Sequence, residues 1–157
     1  MVRLLEARGV PVICLKDNRR VGYLGEPIYN EDEEIRGFLI DGAKGIGRRY
    51  VELDDLLRIE KESCVIYSDK SLRRINRIKP MLKNKSPFES MIGKDVVSMG
   101  GKNVGIVRDL AFDMETGVIE GIELSRGFME DIRSGRRLVS VREGIRMGDD
   151  EITIKEE

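Results

Sequence analysis

Two acidic clusters carry enough oxygen ligands to hold a hard cation: Asn30, Glu31, Asp32, Glu33 and Glu34, and then Asp113-Met114-Glu115. Both fall between apolar segments where polar turn residues are expected anyway, so solvated turns are the favoured reading. Gly42-x-x-Gly45-x-Gly47 has the look of a phosphate loop. It lacks the lysine-serine/threonine ending and a following helical pattern, which favours a plain loop. The pairs Arg48-Arg49 and Arg136-Arg137 suit either a solvated rim or an anion-binding edge, the rim being preferred. Asp109 sits inside an apolar run, where a carboxylate bonds the backbone at a bend or faces solvent rather than acting as a catalyst.

The chain contains no histidine. The commonest general base near neutral pH and the commonest metal ligand are therefore missing. A serine or cysteine nucleophile would need another activating base, and no P-loop, nucleophile elbow or H-E-x-x-H motif occurs. The expectation is a non-enzyme with no catalytic residue, no metal site and no cofactor. Cys14 and Cys64 sit in apolar runs without a C-x-x-C motif and read as buried, reduced thiols. No apolar run reaches the roughly 18 residues of a membrane span, and no secretory signal opens the sequence, which points to the cytoplasm. Aromatics make up only 5%, leaving little for stacking on bases.

Charge divides the 157 residues into three. Residues 1–67 carry 11 basic and 13 acidic side chains, residues 68–88 carry 7 and 1, and residues 89–157 carry 10 and 15. A basic linker thus joins two acidic units. Its cations Arg73, Arg74, Arg77, Lys79, Lys83 and Lys85 suit RNA, an acidic protein or a membrane surface. They suit equally an electrostatic bridge between the flanking units, which is the preferred role. Ser71 as cap, Leu72, Ile75 and Ile78 three apart, and Pro80 as stop predict a short helix here.

The elements that position these groups repeat. Gly9-Val10-Pro11-Val12 aligns with Gly93-Lys94-Asp95-Val96, Val21-Gly22-Tyr23-Leu24 with Val104-Gly105-Ile106-Val107, and Ile35-Arg36-Gly37-Phe38 with Ile119-Glu120-Gly121-Ile122. Residues 49–59 align without a gap on residues 137–147. Each copy reads as short strands separated by turns. Gly22 and Gly105 fall inside strands and predict bulges that let a short sheet curl shut. The expected fold is all-β: two tandem small barrels over residues 1–68 and 88–157, joined by a short basic helical linker over 69–87. Each barrel is expected to close its own apolar interior.

Ile92-Gly93-Lys94-Asp95-Val96, Gly101-Lys102-Asn103-Val104-Gly105-Ile106-Val107-Arg108-Asp109 and Asp113-Met114-Glu115-Thr116-Gly117 resemble the PRC-barrel family. The family pattern is a Gly-Lys-x-Val opening, a G-x-x-(V/I)-G-x-V-x-D core and a D-x-x-T-G turn. The ending at Gly148-Asp149-Asp150 is similar to small stand-alone members associated with sporulation. Residues 4–67 resemble the family through the repeat, with Glu26 where the aspartate belongs; Glu52 and Ser140 stand where many members have proline. The resemblance implies a six-stranded small barrel of PRC type that acts as an adaptor.

The function expected from all this is a scaffold that binds another protein. The long loop after the third strand of the second copy offers Phe128, Met129 and Ile132, whose spacing suits a helical turn, as an apolar contact. The alternative is an RNA- or ribosome-associated protein using the basic linker. Homo-oligomerisation is compatible with either.

Overall fold

The computed structural model describes residues 1–43 and 48–155, the side chains of Phe128 and Glu143 excepted. Gly45 and Gly47 of the glycine-rich loop lie outside the described residues.

The strands are β1 (Val2–Arg3), β2 (Pro11–Cys14), β3 (Arg19–Tyr29), β4 (Ile35–Asp41), β5 (Arg49–Glu52), β6 (Leu56–Ile59) and β7 (Cys64–Ile66), then β8 (Arg73–Arg74), β9 (Asp95–Ser98), β10 (Asn103–Phe112), β11 (Ile119–Ser125), β12 (Arg137–Ser140), β13 (Ile145–Met147) and β14 (Glu151–Ile154). Short helices α1 (Leu4–Ala7), α2 (Pro87–Ser90) and α3 (Phe128–Ser134) interrupt them. Alternation decides which faces turn inward. In β2, for example, Val12 and Cys14 are buried while Pro11 and Ile13 are half-buried.

Two curled sheets result, each forming a half-barrel. The first runs β6-β7-β2-β3-β4-β5-β8 and the second β13-β14-β9-β10-β11-β12. Their first six strands follow one scheme: antiparallel hairpins, then a final strand returning parallel to the first, β7 on β2 and β14 on β9. The bulges match too. Register slips beside Gly22 in the β2–β3 pair and beside Gly105 in the β9–β10 pair. It slips twice more in each long hairpin, at Leu24/Pro27 and Ile28/Tyr29, and at Val107/Asp109 and Ala111/Phe112. Gly105 has φ +142°, and a Cβ there would lie 2.7 Å from the Ser125 carbonyl oxygen, so the bend needs glycine.

Chain segments preceding each sheet cross to the other. Val2 and Arg3 of β1 pair with Phe112 and Ala111 of β10. Lys83 pairs antiparallel with Tyr29 of β3, the position matching Phe112, through N–H···O bonds of 2.6 and 2.9 Å. The two hairpin turns also meet, the Ile35 N–H donating to the Gly117 carbonyl at 2.7 Å.

One buried cluster consequently runs through both sheets, from Leu4 and Val12 to Ile152 and Ile154. Phe38 and Phe112 touch across the junction, centroids 6.0 Å apart and planes tilted by 45°, a pair worth about 1 kcal/mol beyond its area. This corrects the expectation that each barrel closes its own interior. Two curled sheets are present, but one apolar cluster includes residues of both, and the interior is shared.

The linker is the second correction. It contains no α-helix: Ser68 caps a single 3₁₀ turn over Asp69–Ser71, β8 follows, and a second 3₁₀ turn covers Ile75–Arg77. Apolar residues three apart satisfy the 3.0-residue repeat of a 3₁₀ turn as well as the face of an α-helix. Here an unfilled sheet edge supplied backbone partners that a helix would have had to forgo.

Candidate functional site

The linker lies as a strap over the outer face of the first sheet. β8 pairs with β5, Arg73 opposite Tyr50 and Arg74 opposite Arg49, and the Ile75 N–H donates to the Arg48 carbonyl at 3.0 Å. Ile75, Ile78 and Leu82 then cover a small separate core of Ile28, Leu39 and Tyr50. The Tyr50 hydroxyl donates to the Arg77 carbonyl at 3.4 Å. Between strap and sheet remains a groove of about 360 Å³ lined by Arg36, Tyr50, Asp54, Arg77, Lys79 and Met81, among others. The groove was not foreseen from the sequence; Met81 and Leu82, placed after the supposed helix stop, were the available signal.

The linker cations divide into two groups. Arg73 pairs with Glu52 at 3.4 Å and Asp55 at 3.5 Å, and Lys83 pairs with Glu33. Both therefore bond acids of the first unit rather than bridging to the second. Arg74, Arg77, Lys79 and Lys85 are exposed, and no ion pair forms at them among the described residues. The charged contacts that do cross between units come from outside the linker's basic run: Arg3 to Glu123 at 2.6 Å, and Arg8 to Glu89 at 3.0 Å. Glu89 also accepts the buried Tyr29 hydroxyl at 2.8 Å. Burial and then the Glu89 carboxylate raise the Tyr29 pKa, fixing it as a donor.

The loop after β11 forms α3, two turns rather than one. Gly127 at φ +113° and Gly135 at φ +73° bound it. Asp131 pins its inner side: the carboxylate accepts the Ser125 hydroxyl at 2.6 Å and the Arg126 N–H at 3.3 Å, and Arg136 stands 3.5 Å away. Chiefly through the Ser125 hydrogen bond, the Asp131 carboxyl is held below its ordinary pKa. Arg136 also reaches Glu123 at 3.1 Å. Met129 and Ile132 are left 69% and 67% exposed. The side chain of Phe128, the third predicted contact, lies outside the described residues.

The remaining chemical candidates have local duties. Asn30 Oδ1 accepts the Asp32 and Glu34 N–H groups, each at 3.0 Å, and Asp113 Oδ1 accepts those of Glu115 and Thr116 at 2.7 and 3.0 Å. Asn30 and Asp113 thus each close an Asx turn, and the Thr116 N–H, then that of Glu115, holds the Asp113 carboxyl below its usual pKa. Asp109 is buried. It takes the N–H of Leu110 at 2.7 Å and reaches across to α1, accepting from Leu5 at 2.8 Å and Glu6 at 3.3 Å. Sequence pointed to backbone bonding at Asp109; its partner in the other unit was invisible there. Cys14 and Cys64 are free and buried, and burial pushes the Cys64 thiol up to about 12. No helix among the described residues is long and apolar enough to cross a membrane.

Residues 84–157 match the PRC-barrel domain. Over 136 residues the chain is 24% identical to the uncharacterized protein YrrD of Bacillus subtilis (strain 168), an alignment spanning 85% of this chain and 75% of that one. That alignment is longer than the domain match and so extends into the first unit.

Proposed function

We propose that the chain is a non-catalytic, cytoplasmic adaptor built from two PRC-type units, residues 1–68 and 88–157, that holds a protein partner against α3. The exposed pair Met129 and Ile132 carries this reading. An apolar pair raised on a helix fixed from beneath by Asp131 is pre-organised for contact, and binding costs it little ordering. A non-catalytic role is supported by the lack of histidine and by the commitment of Asp109 to three backbone N–H groups. The matching strand order and bulges of the two sheets support duplication of one ancestral unit.

The test is affinity capture from native lysate with the M129D/I132D double variant beside the unaltered chain. Partner recovery falls at least tenfold in the variant while its thermal unfolding stays unchanged. Equal recovery removes α3 as the docking surface.

A second reading rests on Arg74, Arg77, Lys79 and Lys85, four exposed linker cations that form no ion pair among the described residues. RNA bound there would show affinity falling steeply with salt, and loss of it in R74E/R77E/K79E. An affinity flat with salt rejects this alternative.

A further inference from the structure

The strap does not close completely on the sheet beneath it. Ile75, Ile78 and Leu82 cover Ile28, Leu39 and Tyr50, and beside them the groove of about 360 Å³ stays open. Small-molecule sites occupy roughly 300–1,000 Å³. The groove owes its space to a glycine. Gly37 lines it and lies two residues from Leu39 in β4, on the same outer face. The three atoms nearest to a Cβ built at Gly37 are all backbone, from Val51 and Glu52. At the matching Gly121 of the second sheet, the Leu138 side chain takes that place, 3.0 Å from where a Cβ would stand. Tyr50 is the counterpart of Leu138 in the first sheet, facing Leu39 as Leu138 faces Glu123. Its hydroxyl is held instead by the Arg77 carbonyl of the strap. One sheet thus fills its outer face over the glycine, and the other leaves it accessible.

The groove has an apolar floor and a charged rim. Ile28 and Leu53, 2% and 3% exposed, form the floor with the half-buried Leu82, and Met81 stands at the mouth. The rim charges do not balance. Glu52 already faces Arg73 at 3.4 Å, which leaves Asp54 as the rim acid with no ion pair among the described residues. Opposing it are Arg77 and Lys79 from the strap and Arg36 from β4. Arg36 donates from Nε to the Ile35 carbonyl at 2.9 Å and from Nη2 to the Thr116 carbonyl. Neutral acceptors hold that guanidinium in place without cancelling its charge. An apolar floor with a few convergent polar groups is the usual make-up of a small-ligand site. We propose that the groove binds a small amphipathic anion. Its apolar body lies over Gly37 against Ile28, Leu53 and Leu82, and its carboxylate or phosphate faces Arg36, Arg77 and Lys79. RNA drawn to the same cations would leave the apolar floor unused. The site takes no residue from α3, so it stands or falls independently of the contact at Met129 and Ile132.

Sodium octanoate, octyl phosphate, octanol and octylammonium chloride share one tail and differ in the head; sodium acetate has the head without the tail. Each is titrated into the ¹⁵N-labelled full chain. Octanoate or octyl phosphate should shift the Gly37, Leu53 and Leu82 amides saturably, and the tighter of the two identifies the head group. Octanol, octylammonium and acetate should bind at least about tenfold more weakly, the loss expected when a charge-assisted hydrogen bond or a buried tail is removed. R77Q/K79Q should weaken the tighter anion at least about tenfold with thermal unfolding unchanged, since both side chains are exposed. K16Q/K70Q removes the same charge from exposed sites elsewhere in the first unit and should leave binding as it was. The proposal is overturned by no saturable shift at millimolar anion, or by octylammonium or octanol matching the anions. It is overturned equally if R77Q/K79Q has no effect, if K16Q/K70Q weakens binding as much, or if the shifts centre on Met129 and Ile132.

Discussion

The two sheets put one strand order to different uses. At the bulge of the second long hairpin, Asp109 is buried and caps α1 across the junction, while Glu26, at the same place in the first, is exposed. On the outer face the asymmetry reverses: the first sheet buries Tyr50 beneath Ile75 and Ile78, and the second leaves Leu138 half-open. Backbone topology and bulges are held in common while single side chains at equivalent positions decide what each unit attaches to. The second unit grips the chain's beginning through a buried carboxylate; the first grips the linker through apolar contact.

Removing a ring from the junction tests whether the units share one core. Phe112→Ala removes a fully buried ring at the junction and should cost about 3–5 kcal/mol. Urea unfolding followed by circular dichroism and by tyrosine fluorescence, where Tyr29 and Tyr50 report the first unit, should shift as one transition. A first unit that melts at its original midpoint would break the picture of a common interior.

Asp109 and Glu26 come next. Asp109→Ala strands the Leu5 and Glu6 N–H groups and should cost about 2–3 kcal/mol. Glu26→Ala, at an exposed site, should stay within about 0.5 kcal/mol. Equal losses in denaturant melts would mean that the buried carboxylate has no special role.

Smaller again is Ile75→Ala, which trims the half-buried underside of the strap and should cost about 1 kcal/mol. Amide exchange at Ile75, which donates to Arg48, should quicken. Unchanged exchange would show that β8 is held by its backbone bonds alone.

The smallest effect is local to α3. Because the folded pKa of Asp131 is depressed, its contribution is present above the unfolded carboxyl value, about 3.9, and is lost as pH falls through the folded value. The Met129 and Ile132 methyl resonances should therefore move only at acid pH, and Asp131→Asn should abolish that step. A midpoint at or above the ordinary carboxylate pKa would contradict the hydrogen bonds from Ser125 and Arg126.

Much of the fold was legible in the sequence because its determinants are local. Gly22 and Gly105 inside strands, and turn residues at 30–34 and 113–117, mark bulges and hairpins whatever else the chain does. The crossing of β1 onto β10, and of Lys83 onto Tyr29, was not legible, since each joins segments distant in sequence through backbone bonds that leave no residue signature. The linker misled for a related reason. Leu72, Ile75 and Ile78 report one covered side, but the spacing does not report whether a helix or a paired edge does the covering. Of the candidate contacts, Met129 and Ile132 could be proposed from spacing and small flanking residues; the half-open state of Leu138 emerges only when two sheet edges are set side by side.

The crossed segments have a consequence for chain integrity. Residues 2–7 belong to the first half yet clasp β10, and Lys83 to Glu89 lead into the second yet clasp β3, so each half holds the other independently of the peptide linking them. A protease cut near Pro80 would therefore release nothing: the two fragments would copurify, and when expressed separately they would reassemble by complementation.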